Sequence, residues 1–148
     1  MNTRRFILAA GLALAAMPAF AAGKVHRLAL QISDDTSEKM NAVLNVAANI
    51  SRYYSGKGEE VEIRIVAFNA GLNMLRTDRS PVLTRLKSIS ESLPNVTFEA
   101  CNNTRENMAR TEGKKPEEIP IWANAKIVTA GVVSLIELSE KGWTILRP

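Results

Sequence analysis

Short apolar runs alternate along this chain with longer stretches whose apolar residues recur at helical spacing, and that alternation admits few architectures. His26 to Ser33 and Val61 to Phe68 read as strands, as do Val96 to Ala100, Lys126 to Thr129 and Trp143 to Leu146. Between the first two, Met40, Val43, Leu44, Ala47, Ile50 and Tyr54 mark the apolar side of a helix. It should stop at Ser55-Gly56-Lys57-Gly58, where glycine accepts a left-handed cap. Leu83, Leu86, Ile89 and Leu93 mark a second helix from Pro81 to Ser92. Asn102-Asn103-Thr104 offers caps to a third through Thr111, and a fourth from Val132 to Lys141, after the turn Ala130-Gly131, stops at Gly142. Leu72 to Asp78 follows no clear period, and Lys114 to Pro120 is a proline-bounded loop. Parallel neighbours need a crossover of about a dozen residues, which these helices supply. The expected fold is α/β: a three-layer α/β/α sandwich around a mostly parallel sheet of about five strands.

The first residues are of another kind. Arg4 and Arg5 precede an apolar run from Phe6 to Ala16 and a small-residue site at Ala19-Phe20-Ala21, the three parts of a secretory leader. Cleavage after Ala21 is expected, leaving one domain, residues 22–148, in the periplasm or otherwise exported. Thr3-Arg4-Arg5 before Phe6-Ile7-Leu8 also fits a twin-arginine leader, so two export routes stay open. The apolar run is shorter than the roughly 20 residues that span a hydrocarbon core, and no later stretch is longer, so membrane embedding is not expected. The leader holds two of the 19 basic residues and none of the 15 acidic ones, so its loss halves the net charge of +4. The remaining basic residues are interleaved with acids, as in Arg105-Glu106 and Lys114-Lys115-Pro116-Glu117-Glu118. No basic stripe for phosphates results, and nucleic acid is not an expected partner.

A small exported domain is usually stapled by paired cysteines, yet Cys101 stands alone. The core must hold the fold, and the thiol is buried and inert, an intermolecular partner, or reactive. Open parallel sheets do their chemistry at the carboxyl ends of strands, and Cys101 ends the third. The amides that open the next helix, at Asn102, Asn103 and Thr104, would favour a thiolate, and Arg105 would add positive charge. Asn69 and Gly71 follow the second strand and could line the same edge, although a glycine there serves a turn equally well. Asp34 and Asp35 follow the first strand, where helix capping is the simpler role. The single histidine, His26, supports neither a catalytic triad nor a multi-histidine metal site. Ser33-Asp34-Asp35-Thr36 lacks the glycines of a phosphate-binding turn, so no metal and no cofactor is expected. Trp122 reads as core or interface packing.

Thr97-Phe98-Glu99-Ala100-Cys101-Asn102-Asn103-Thr104, then Met108, begin a longer pattern. It continues with Ile127-Val128-Thr129-Ala130-Gly131-Val132-Val133, Leu135-Ile136-Glu137-Leu138, Lys141-Gly142-Trp143 and Pro148. In order and spacing these residues resemble the DsrE/DsrF-like family over nearly the whole chain after the leader. The resemblance implies a three-layer α/β/α fold, assembly as a homo-oligomer (trimer or hexamer) and a cysteine that carries sulfane sulfur as a persulfide. Cys101 is the position that would inherit that role, exchanging sulfur with a thiol-bearing donor or acceptor protein. The chain departs from the sulfur-relay members in carrying an export leader and no second cysteine. The alternatives are a non-catalytic oligomeric module that binds a small ligand or acts as a scaffold around a buried structural cysteine, and a redox sensor that forms an intermolecular disulfide.

Overall fold

The computed structural model describes residues 23–148, so the leader expected over residues 1–21 lies outside the described residues. Strands β1 (Val25–Ile32), β2 (Glu60–Ala67), β3 (Val96–Cys101), β4 (Ala125–Val128) and β5 (Thr144–Leu146) form one sheet in the order β4-β3-β2-β1-β5. Every neighbouring pair is parallel. The crossovers are α1 (Ser37–Gly56), α2 (Leu83–Ser92), α3 (Asn102–Glu112) and α4 (Gly131–Glu140). The α/β class and the five-stranded sheet are as the alternation of periods implied.

Strand order and handedness settle the layers. The steps β1 to β2, β2 to β3 and β3 to β4 all move the same way across the sheet, so right-handed crossovers put α1, α2 and α3 on one face. The step from β4 back to β5 runs the other way and puts α4 on the opposite face. Strand alternation feeds both layers. Val61, Ile63, Ile65 and Ala67 of β2 join the larger core cluster under α1 and α2, together with Leu30, Met40, Leu44 and Leu86. Val66 points the other way and packs with Ala29, Phe68, Cys101, Leu135 and Leu138 in a smaller cluster under α4. Trp122 packs edge-on to Phe98 in the larger cluster, with ring centroids 5.4 Å apart, the packing role its surroundings suggested.

Local details differ from the sequence reading for identifiable reasons. Thr36, not Asp34 or Asp35, caps α1: its hydroxyl accepts the Lys39 amide, while Asp34 pairs with Arg147 near the carboxyl end of the chain. The left-handed residue after α1 is Gly58, with φ of 70°. Asn102, Asn103 and Thr104 are not caps; α3 begins at Asn102 and Cys101 itself is the N-cap. The segment without a clear period, Leu72 to Asp78, begins inside a 3-10 helix, Asn69–Leu75, whose Leu72, Met74 and Leu75 are fully buried. Its tight winding obscures the helical spacing by which such segments are found. Gly71 anchors it: a β carbon there would lie 2.3 Å from the Ile32 carbonyl oxygen, so only glycine lets the turn pass so close to β1.

Candidate functional site

In an open parallel sheet, a crevice forms where adjacent strands send their helices to opposite faces. Here β3 hands the chain to α3 on one face and its neighbour β4 hands it to α4 on the other. At the carboxyl ends of these strands lies a cleft of about 520 Å³. Asn103, Thr104 and Asn107 give it a polar flank, Phe68, Met108 and Val132 an apolar one, and Cys101 is part of its lining although only 5 % exposed. The two sides are cross-braced. The Asn103 amide donates to the Thr129 carbonyl at 3.1 Å, which ties the start of α3 to the end of β4. The Asn69 amide donates to the Thr104 hydroxyl at 3.0 Å, and Asn69 is held at φ of 50°, left-handed for a residue whose short polar side chain tolerates it.

Of the residues singled out from the sequence, Cys101, Asn103, Thr104 and Asn69 come together at this cleft. Three do not line it. Gly71 is pressed against the backbone of β1, and the Asn102 side chain turns along its helix to donate to Glu106 at 2.8 Å. The Arg105 guanidinium donates to the Ile119 carbonyl at 3.1 Å and pins the loop after α3 instead of supplying charge to the thiol. The sequence reading missed Phe68, Met108 and Ala130 to Val132 as lining residues. Gly131 had a local signal: a β carbon there would approach the Phe68 β carbon to 3.1 Å, so a small residue is needed where α4 starts over β2. His26 stands apart, stacked on Tyr54 at 3.8 Å and bonded to Glu59 at 2.7 Å.

The cleft offers a thiol, the starts of two helices and a mixed polar and apolar wall. Helix α3 opens beside Cys101 and α4 opens across the cleft at Gly131, and the first turn of each carries amides with no partner in its own helix. Both ends favour negative charge between them.

No protein-family model and no curated protein matches the chain. A solved structure does: a protein of unknown function, MTH1491 from Methanobacterium thermoautotrophicum, with a TM-score of 0.68 and 24 % identity, covering 83 % of this chain and 99 % of that one. The two share a fold. At that identity the likeness extends to architecture alone. Among the described residues no helix is long and apolar enough to cross a membrane.

Proposed function

We propose that this chain is an exported sulfur carrier of the DsrE type that holds sulfane sulfur as a persulfide on Cys101. The observation that carries the reading is the placing of Cys101: at the switch point of the sheet, in the lining of an open cleft, between the starts of α3 and α4. A thiolate there attacks the outer sulfur of a donor persulfide, the donor's sulfur–sulfur bond breaks, and the donor leaves as a thiolate. The Cys101 persulfide is anionic and suits the helix starts; an acceptor thiolate then takes its outer sulfur by the same exchange, with no net oxidation and no cofactor. Donor and acceptor are thiol-bearing proteins in this reading. Incubation with inorganic polysulfide should add whole sulfur atoms to the intact mass, reversed by a reductant and absent in Cys101→Ser. An unchanged mass in the parent protein would sink the reading.

The same proposal includes assembly as a homo-oligomer, trimer or hexamer. Support comes from α4, which turns Leu135 and Leu138 to the sheet but leaves Val132 and Ile136 each 53 % exposed on its outer side, an apolar ridge that a second copy would cover.

A second reading has its own observation. Cys101 belongs to the closed cluster of Val66, Phe68, Leu135 and Leu138. A small-ligand-binding or scaffold module would use the cleft with the thiol as packing. Slow reaction of the folded protein with a thiol reagent, and fast reaction after unfolding, would favour this reading.

A further inference from the structure

We propose that a second cleft, on the flank of α4 toward β4, binds a small molecule through an oxyanion, a carboxylate or a phosphate-type group, independently of Cys101. Helix α4 packs on β1, β2, β3 and β5 and leaves the strip of sheet toward the β4 edge open. A cleft of about 420 Å³ lies there, lined among others by Arg64, Glu99, Lys126, Thr129, Ser134 and Lys141. Its volume is that of a small-molecule site.

One cation of this cleft, Arg64, is held in place by an ion pair, and two, Lys126 and Lys141, are uncommitted. The Arg64 guanidinium lies over the Trp143 ring at 4.9 Å and donates through Nη1 to Glu99 Oε1 at 3.1 Å, with no other hydrogen-bond acceptor among the described residues. Glu99 is 3 % exposed, and its second oxygen accepts the Ser134 hydroxyl, so its charge is spent on positioning Arg64. Burying the Glu99 carboxylate costs free energy that pairing with the part-exposed Arg64 offsets only in part, and Val66, the register partner of Glu99 on β2, is apolar. The pair fits a positioning role better than a structural one. Lys126 stands beside Glu99 in register on β4, and Lys141 follows the last turn of α4. Neither ammonium has an ion-pair partner among the described residues. With Glu99 matched to Arg64, the uncommitted charge is two lysines against the carboxylate of Glu137, which also lines the cleft. That balance suits one small oxyanion bridging Arg64 and the lysines, and Glu137 would repel a larger polyanion.

The test is a titration of the full, isotopically labelled chain with succinate and, separately, inorganic phosphate, at ionic strength held constant with sodium chloride and followed by nuclear magnetic resonance. Saturable shifts are expected at the amides of Lys126 to Thr129 and Val133 to Lys141 and at the Trp143 indole, while the Trp122 indole, packed on Phe98, stays still. Saturation by succinate alone assigns a carboxylate, by phosphate alone a tetrahedral oxyanion, and by both a general oxyanion site. Lys126→Gln with Lys141→Gln alters two exposed side chains, so the fold should be kept and the affinity lowered about tenfold or more. Shifts that track chloride without saturating, or an affinity unchanged in the double variant, would overturn the proposal.

Discussion

The guanidinium of Arg76 is fully buried and spans two carboxylates, donating to Asp78 at 2.9 and 2.7 Å and to Glu112 at 2.5 and 3.2 Å. Its bonds join the end of the 3-10 helix to the last turn of α3, and Arg79 and Lys114 reach Glu112 from outside. The Arg76 bonds, then that from Lys114, hold the Glu112 carboxyl at about 2 against an ordinary 4.5, and the Arg76 bonds hold Asp78 below its usual range as well. A depressed carboxyl contributes stability that is fully present above its unfolded value and is lost as pH falls through the folded one. Acid should therefore weaken this protein between pH 4.5 and about 2, and Glu112→Gln should flatten that part of a urea-midpoint profile. Arg76→Met strips both carboxylates of their partner and should cost about 3 kcal/mol at neutral pH, measured by urea unfolding. Nothing around Arg76 in the sequence announces this role, because Glu112 lies 36 positions away and only the fold brings it near.

Two glycines show how the demands of an element become readable once its surroundings are known. Gly56 lies in the last turn of α1 with nothing within 4 Å of a built β carbon, whereas the same atom at Gly71 meets the Ile32 backbone. Gly56→Ala should raise the melting temperature slightly, by up to about 1 kcal/mol of stability. Gly71→Ala should lower it by about 2 kcal/mol or more, since backbone must move to admit the methyl group. A thermal unfolding scan of the two variants checks both, and equal effects would refute the close approach. The strands and helices were legible from period and, for α3, from cap residues, with ends displaced by one or two residues. The 3-10 helix was not, and the start of α3 was read as a cap because Asn and Thr are common in that role. Cys101 takes the N-cap position by backbone geometry and makes no side-chain capping bond there.

At the scale of the molecule, the three helices on one face of the sheet and the lone α4 on the other leave the second face thinly covered. At about 3.6 residues per turn, Val132 and Ile136 fall on the exposed side of α4, while Ser134, Glu137 and Lys141 fall on the flank of the proposed oxyanion cleft. Ile136→Lys should convert the proposed oligomer to a folded monomer in light scattering coupled to gel filtration, and an unchanged mass would place the interface elsewhere. The sequence by itself determined the class of this protein: its periods specify strands and crossover helices, parallel pairing follows, and Cys101 had to fall at the carboxyl edge of the sheet because it ends a strand. The lone thiol was likewise readable as a pattern local to the chain. Strand order was not, and strand order decided the site. Only when β3 and β4 prove to be neighbours, with their helices on opposite faces, does Cys101 stand at a switch point with Ala130 and Gly131 across from it. The same holds for Arg64, Glu99 and Ser134, and for Arg76 with Glu112: each group joins residues 35 or 36 positions apart. Periodicity reports which way a side chain faces, but pairing across a sheet is a long-range choice made by packing, and the candidate sites of this protein lie in those pairings.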